Sequence, residues 1–470
     1  MSSNTKAIAK YKKRYSKWTP RHRLRDFKSS LLYYLPPVFV VWLLKKFLIK
    51  SDYKLKRESK KFFELCNRSY DARKIRETNR LLIVALNLVG FDASHSYEAL
   101  LRNAVKSTFK NPSSRLCQTE RILIATQALK KSLFDATSWY QLSRGLFYLG
   151  YFRAAWVARE NSLDLSIIEG SSQGSGATAV SRAVEAHLER FELASVRTTL
   201  VEANVFSPKV LDSFQELLSL FEGVVVANSA EEKSKYGESE RLIHELVHGK
   251  KVVLVGSGSA HGQHGVEIDS ADSVARIKYP GAGYLLDKFF FGKRCDISYY
   301  GSLGPLRELA AISSYEFFDD LSLIVSGEAD SSAVRTTLVF CEDQDLPIYR
   351  STVYSGLRLL ISLIRRSPSS LRLFGFDFYS DREPYNSGMK SFYERDGWKI
   401  GDGFLFGTKT DYSKGTITSS FGAHDPVSNF CFAQNLYKAG LFDIEPYGKS
   451  ILELTPYQYV ERLEEMLGDW

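Results

Sequence analysis

The chain has 470 residues, of which 44% are hydrophobic and 13% aromatic, and it carries a formal net charge of +9. Its length exceeds what one ordinary hydrophobic core can organise and predicts two or three domains. The apolar and aromatic content is ample for globular packing and excludes a chain built mainly of low-complexity sequence.

The positive charge is concentrated in residues 1–80. These residues contain about 23 Lys and Arg against about 6 Asp and Glu, so the remainder of the chain is slightly acidic. Such a basic segment is attracted to anionic lipid headgroups, by about 1 kcal/mol per basic residue near the surface. Basic arms also bind the phosphates of nucleic acid, and a solvated, partly disordered tail is a third interpretation.

An apolar run inside this basic region favours the membrane. The run Leu31–Leu44, LLYYLPPVFVVWLL, is shorter than the ~20 residues that span a bilayer, and Pro36 and Pro37 would disturb a helix there. No small-residue cleavage site follows it, so we expect no signal peptide. We therefore predict that residues 1–65 associate with an anionic membrane surface and bind no nucleic acid. An apolar segment packed on the protein fits the same pattern.

The five cysteines are widely spaced and none belongs to a CxxC pair. An odd number at such spacing argues against a disulfide framework and against a zinc site. Buried thiols in a reducing compartment are the simplest interpretation.

Residues 66–240 are predicted to form an α-helical, tetratricopeptide-like domain. Apolar residues recur there at three- and four-residue spacing, and Trp139, Gly150, Phe152 and Ala155 follow the order of a tetratricopeptide unit. Small residues at such positions let two helices cross closely, while aromatic residues fill the space between them. Two interpretations remain open: a repeat domain that binds a protein partner, and a helical domain packed on the rest of the protein.

After about residue 245 the pattern changes to short β-branched apolar runs separated by helical segments. Strands that alternate with helices predict an α/β sheet, so an α/β domain is expected over residues 245–470. The predicted strands are Val252–Val255, Leu323–Ser326, Thr337–Phe340 and Leu371–Phe374.

The first of these strands runs into a glycine-rich turn. Gly256, Gly258 and Gly262 follow it, and such a turn brings bare backbone N–H groups close to a phosphate or nucleotide. Taken alone this pattern is weak, because glycines at this spacing often mark only a tight turn.

Three segments resemble the motifs of the animal-type sialyltransferases, glycosyltransferase family 29. Residues 265–278, GVEIDSADSVARIK, resemble the large sialyl motif. The match includes a run of charged and apolar residues in an order that is unusual among proteins. Residues 350–377 are similar to the small motif, in which a Ser/Thr-Gly turn, here Ser355 and Gly356, opens a helix leading to a strand that ends in Gly-Phe. Residues 421–426, FGAHDP, are similar to the last motif, in which a His precedes an amphipathic helix.

The chain departs from the family at four places. Ser257 and Lys278 stand where the family has Asn, and Asn429 stands where it has Glu. The cysteine pair that joins the large and small motifs is absent, which agrees with a reducing compartment. These differences bear on the identity of the sugar more than on the fold.

The resemblance implies a Rossmann-like, sialyltransferase-type domain that inverts the anomeric carbon and needs neither metal nor cofactor. It implies transfer of a sialic acid, Kdo or a related 2-keto-sugar acid from a CMP-activated donor to a glycan or lipid-linked glycan acceptor. With the basic amino terminus, it predicts a cytoplasmic enzyme at the inner face of a membrane, in polysaccharide or glycolipid assembly. His424 is the expected base, and the residues expected at the nucleotide-sugar are Gly256, Ser257, Gly258, Lys278, Ser355, Gly356 and Asp377.

Other polar residues near the turn have plainer interpretations. His261 and His264 flank the glycines and are weaker candidates for contact with the nucleotide or substrate. Glu267, Asp269 and Asp272 have the spacing of a cap and a turn. We therefore expect these three acids to support the fold.

Two other classes of function remain open. A Rossmann enzyme would bind NADP or S-adenosylmethionine through residues 256–262. The acid usual in such folds is replaced here by Arg276 and Lys278, an exchange that NADP accommodates. A non-catalytic, membrane-associated scaffold would instead use the helical repeats and the basic amino terminus.

Overall fold

The structure is a computed structural model. It describes residues 119, 123, 126–127, 131–148, 151–172, 175–202, 205–225, 237–259, 261–279, 288–300, 321–326, 338–341, 346–381 and 425–468. The predicted membrane-associating segment, residues 1–65, lies outside these ranges, and so does His424. Among the described helices, none combines the length and the apolar character needed to cross a bilayer.

Helices occupy the described part of the chain between residues 136 and 221. Apolar side chains such as Trp139 and Phe152 are fully buried between them. Gly170 contacts Ala183 and Ala179 so closely that a side chain at this glycine would overlap them, which lets the second and third helices cross. The five helices are Ala136–Tyr148 (α1), Phe152–Gly170 (α2), Ala177–Glu189 (α3), Leu193–Glu202 (α4) and Pro208–Phe221 (α5).

A parallel sheet of seven strands follows, which confirms the predicted α/β fold. All six strand pairs are parallel, and the order across the sheet is β5-β4-β3-β2-β1-β6-β7. Both faces of such a sheet are covered, so its strands are mostly apolar and buried, with polar exceptions such as Arg276 in β2 and Ser298 in β3. The strands are Lys251–Val255 (β1), Ser273–Ile277 (β2), Ile297–Tyr300 (β3), Leu323–Ser326 (β4), Leu338–Cys341 (β5), Ser370–Phe374 (β6) and Asp443–Ile444 (β7).

Seven further helices surround or precede the sheet in the described ranges. The helix Pro426–Lys438 is buried along most of its length. Asp425 caps its first turn, because the Asp425 side chain accepts hydrogen bonds from the N–H groups of Val427 and Ser428. These helices are Glu238–Val247 (α6), Gly265–Asp269 (α7), Lys288–Phe291 (α8), Ser355–Ile364 (α9), Pro426–Lys438 (α10), Pro446–Leu452 (α11) and Pro456–Gly468 (α12).

The strand order reverses between β1 and β6. From β1 the chain builds β2 to β5 on one side of the sheet, and then returns to add β6 and β7 on the other side. The carboxyl ends of β1 and β6 are therefore neighbours, with Val255 paired to Phe374. In open α/β sheets the crevice beyond the strands at such a reversal is where ligands bind.

The helical region is joined to the sheet region by buried polar contacts. Arg159 of α2 is fully buried and pairs with Glu189 of α3 and, at 2.8 Å, with Asp425 at the start of α10. Burial alone disfavours the charged guanidinium, but Asp425 and Glu189 outweigh it and raise the pKa of Arg159. In addition, Asn435 of α10 donates to the carbonyl of Leu188 at 2.9 Å. These contacts support a helical region that packs on the rest of the protein.

Candidate functional site

The turns after β1 and β6 are bonded directly to each other. The N–H of Gly256 donates to the carbonyl of Phe374 at 2.8 Å, and the N–H of Gly258 donates to the carbonyl of Gly375 at 3.0 Å. These two N–H groups are therefore used within the fold. A phosphate in this crevice must be held by other donors, which differs from what the glycine pattern alone predicts.

The same neighbours explain why these positions are glycine. A Cβ atom at Gly258 would lie 2.7 Å from the Gly375 carbonyl oxygen and 2.8 Å from Oδ2 of Asp377, and one at Gly256 would overlap the same carbonyl. Real Cβ atoms do not approach backbone oxygens so closely, because the repulsion at that distance forces the backbone to move. The glycines are thus required by the β6 turn, whatever ligand the crevice holds.

The ring of Phe376 lies between the glycine turn after β1 and the start of α9. A Cβ at Gly256 would lie 3.0 Å from this ring, and a Cβ at Gly356 would lie 2.9 Å from it. Gly356 also faces Ile277 at the end of β2. The predicted site residues Gly256, Gly356 and their neighbours therefore converge at the carboxyl end of the sheet.

The backbone is left-handed at four positions around this crevice. Lys278 at the end of β2 has φ of 50°, and Gly375, Phe378 and Tyr379 after β6 have φ of 67°, 51° and 62°. For residues other than glycine this conformation costs on the order of 1–3 kcal/mol and is concentrated at functional sites. The backbone is thus strained at the ends of β2 and β6, as it also is at Phe191, Arg350 and Ser367.

Lys278 is a desolvated cation, and no acidic partner for it is found in the described part of the chain. Burial lowers the pKa of Lys278, and within the described ranges no carboxylate pairs with its ammonium group. Its N–H donates to the carbonyl of Tyr299 at 2.9 Å, which fixes the backbone at the end of β2. A desolvated cation of this kind would gain a favourable interaction from an incoming anion.

Asp377 is a buried acid with an unused oxygen. Burial raises the pKa of Asp377 to about 7. The N–H of Tyr379, which donates to Oδ1 at 2.9 Å, opposes the rise, the nearby Asp381 adds to it, and the N–H of Ser259 also opposes it. Among the described residues, Oδ2 accepts no hydrogen bond. Because buried polar atoms are normally paired, this oxygen is available to a hydroxyl or amine of a ligand.

The start of α9 lies beside the residue that follows His424. The N–H of Asp425 donates to the Ser351 hydroxyl at 2.8 Å, and the N–H of Tyr354 donates to Oδ1 of Asn429 at 2.7 Å. Asn429 also donates to backbone carbonyls and is buried, so its amide is structural. The residue that replaces the family's Glu therefore joins α10 to the segment leading into Ser355.

His261 lies on the β6–β7 side of the crevice. Its Nε2 is 3.1 Å from Oδ2 of Asp381, and its ring stacks on Tyr447 with the centroids 3.4 Å apart. Arg462 donates to the Tyr447 hydroxyl at 2.9 Å. Sequence patterns did not indicate Asp381, Tyr447 or Arg462, because these residues come from three separate segments with no motif of their own.

His264 supports the fold instead. Its Nδ1 lies 3.4 Å from Glu267 and its Nε2 lies 4.0 Å from Glu445, while its ring packs on Phe374. Glu445 is buried and accepts a hydrogen bond from the N–H of Gly375 at 2.8 Å. The imidazole is thus held between two carboxylates next to the end of β6.

The acids of the large-motif segment are structural, as predicted. Asp269 accepts from the N–H groups of Lys293 and Arg294, and Asp272 accepts from the N–H of Lys251 at 2.8 Å. Arg276, in the middle of β2, donates to backbone carbonyls after β2 rather than to these acids. Asp269 and Asp272 therefore stabilise loops next to the sheet through backbone hydrogen bonds.

The described residues define an α/β protein whose parallel sheet reverses its strand order between β1 and β6. Searches of protein-family models, curated proteins and solved structures found no match to this chain.

Proposed function

We propose that this chain is a glycosyltransferase that moves an acidic sugar from a CMP-activated donor to a glycan or lipid-linked glycan acceptor. The sugar would be a sialic acid, Kdo or a related 2-keto-sugar acid, and the domain a Rossmann-like, sialyltransferase-type one. The observation that carries the proposal is the meeting of two family-like segments around Phe376, at the reversal between β1 and β6. Ligands of open α/β sheets bind at such a crevice.

The β1–β2 side of the crevice suits the phosphate of the donor. Lys278 supplies a desolvated positive charge that pairs with no carboxylate among the described residues. The first N–H groups of α9, at Ser355 and Gly356, have no partner within the helix. Negative charge grows on the phosphate as the bond to the sugar breaks, so donors already in place lower the barrier. Gly256, Ser257 and Gly258 shape the floor of the crevice in this proposal.

The β6–β7 side suits the uncharged parts of the ligands. Asp377 Oδ2 is buried and unpaired among the described residues, and such an acceptor binds a ribose or sugar hydroxyl. The resemblance assigns the acceptor-side base to His424. That residue lies outside the described ranges, and its role stays a prediction.

The remaining regions are proposed to bring the acceptor to the crevice. The basic and apolar residues 1–65 would hold the enzyme at the anionic inner face of a membrane, where lipid-linked acceptors are found. The helices of residues 136–221 would orient the acceptor or bind a protein partner as a tetratricopeptide-like unit. Their buried contacts with α10 favour a fixed position on the transferase.

A nucleotide panel tests the proposal. Full-length protein is heated with cytidine monophosphate, cytidine, uridine diphosphate, guanosine diphosphate, NADPH and S-adenosylmethionine in separate samples. We expect cytidine monophosphate at about 100 times its Kd to stabilise the fold by about 2.7 kcal/mol, and cytidine to stabilise it less. Stabilisation by NADPH without cytidine monophosphate would favour a Rossmann oxidoreductase, for which the position of Lys278 after β2 is suitable.

A further inference from the structure

The pair formed by His261 and Asp381 has no part in the function proposed above. Nε2 of His261 lies 3.1 Å from Oδ2 of Asp381, close enough for an ion pair when the imidazole is protonated. The two residues are 120 positions apart in the sequence and meet only because β1 and β6 are neighbours in the sheet. About a quarter of the His261 side chain is exposed (24%), so the imidazole is partly open to solvent.

The pairing determines which nitrogen of the imidazole can accept a proton. An ionised carboxylate only accepts hydrogen bonds, so the Asp381 carboxylate beside Nε2 favours the tautomer that carries its hydrogen on Nε2. Nδ1 then keeps its lone pair. Within the described ranges Nδ1 makes no hydrogen bond, which leaves it ready to accept a proton from a ligand.

Two further side chains hold the ring in place. The Tyr447 ring stacks on the imidazole at an angle of 19°. Arg462 donates to the Tyr447 hydroxyl at 2.9 Å and to the carbonyl of Ser380 at 3.3 Å, next to Asp381. The imidazole is therefore fixed in both plane and direction, as a group that transfers protons requires.

The charges around the crevice indicate which substrate this imidazole faces. On the β6–β7 side lie Asp377, Asp381 and Glu445, and carboxylates repel a phosphate. On the β1–β2 side lies Lys278 with the start of α9, where a phosphate is stabilised. The His261 side thus fits a neutral hydroxyl, as the acceptor glycan presents.

We propose that His261, in place of His424, is the catalytic base for the acceptor hydroxyl, with Asp381 as the residue that positions it. This inference rests on the proposed glycosyl transfer. The hydroxyl proton moves to Nδ1 of His261 while the hydroxyl oxygen bonds to the anomeric carbon. The bond from that carbon to the phosphate oxygen breaks, and the phosphate keeps the electron pair and leaves as the nucleoside monophosphate. His261 then releases the proton to solvent.

Turnover of a defined donor tests the base. The donor probe is CMP-activated sialic acid, with water or added glycan as acceptor, and release of cytidine monophosphate is measured for wild type, His261→Asn, Asp381→Asn and His187→Asn. Loss of a general base costs about 10²- to 10⁴-fold, so kcat should fall at least 100-fold in the first two variants. KM for the donor should change by less than about threefold, because the donor phosphate binds elsewhere.

His187 is the matched control. Its Nδ1 pairs with Glu192 at 2.6 Å on α3 and the loop after it, away from the crevice, so His187→Asn should keep wild-type turnover. Unchanged kcat in His261→Asn together with a large loss in His424→Asn would overturn the inference and return the role to His424.

A readout without turnover separates this inference from the proposed function. In ¹⁵N-histidine spectra the resonance missing from His261→Asn should show a hydrogen on Nε2 in wild type and a shift toward Nδ1 in Asp381→Asn, whose amide can donate to Nε2. A hydrogen on Nδ1 in wild type would overturn the inference even when cytidine monophosphate binds. Failure of wild type to bind any cytidine nucleotide would overturn the proposed function first.

Discussion

Two groups of buried charges in this molecule differ in one respect, and the difference separates structure from function. Arg159 is fully buried, but it is paired with both Glu189 and Asp425. Lys278 and Asp377 are desolvated too, yet Lys278 has no acidic partner and Oδ2 of Asp377 accepts no hydrogen bond in the described part of the chain. The paired group joins the helical region to α10. Lys278 and Asp377 lie around the crevice, where a ligand would supply an anion for the lysine and a hydrogen-bond donor for the carboxylate.

The largest effect is expected from breaking the paired group. Arg159→Met leaves Glu189 and Asp425 buried without a counter-charge, which typically costs about 3–5 kcal/mol of stability. Denaturant unfolding should show this loss of stability. The exposed pair of Arg197 and Glu222 is the control, because Arg197→Met should cost less than about 1 kcal/mol. Equal losses in both variants would contradict the structural role of Arg159.

Asp377 is expected to make stability fall as pH rises. Its pKa is about 7 in the folded state against an ordinary value of 3.8. Between these values the folded protein binds a proton that the unfolded chain has lost, so folding weakens by up to about 4 kcal/mol from pH 4 to pH 7.

The variant Asp377→Asn isolates this contribution. Its unfolding free energy relative to wild type should be nearly constant below pH 4, grow in its favour between about pH 4 and pH 7, and then level off. Urea unfolding at pH 4, 5.5 and 8 measures the difference. A difference that does not change with pH would show that the carboxyl group is not desolvated.

The glycine turn should tolerate no side chain. Gly258→Ala places a methyl group against the Gly375 carbonyl and Asp377, and overpacking of this kind costs about 1–3 kcal/mol. Gly237→Ala is the control, because nothing lies within 4 Å of its added Cβ. Thermal unfolding of the two variants makes the comparison, and equal midpoints would contradict the contact between the β1 and β6 turns.

Lys278 should affect ligand binding far more than stability. Lys278→Met removes a desolvated charge, so the free energy of unfolding should change by less than about 1 kcal/mol. The affinity for cytidine monophosphate should fall about 10- to 100-fold, the usual loss of a charged hydrogen bond. Lys251→Met, at the opposite end of β1, should leave calorimetric binding unchanged. Equal affinities of both variants would remove Lys278 from the site.

Much of the sheet could be predicted from the sequence, because β1, β4, β5 and β6 are short apolar runs. The strands β2, β3 and β7 were missed. Strands β2 and β3 contain residues such as Arg276 and Ser298, which are buried only because the fold supplies partners for them, and β7 is only two residues long. The position of the glycine turn was predicted correctly, but the explanation that its N–H groups are free to bind a phosphate was wrong for Gly256 and Gly258. Its N–H groups bind β6, a neighbour that lies more than a hundred residues further along the chain.

Only part of the candidate site could be predicted from the sequence. Residues that follow a motif, such as Gly356 and Asp377, were found because the motif gave their order. The partners of His261 could not be found, since Asp381 and Tyr447 meet it only after β6 and β7 join the sheet beside β1. The aromatic residues after β2 differ in burial: Phe291 is buried, whereas Phe289 is 75% exposed.

Hydrogen exchange with and without cytidine monophosphate tests the central claim most directly, because it locates the ligand on the chain. We expect the nucleotide to slow exchange in peptides covering residues 256–259, 355–358 and 375–381, and to leave α4 and α5 unchanged. Protection confined to the helices, or no protection at any concentration that saturates binding, would contradict a nucleotide site at the crevice between β1 and β6.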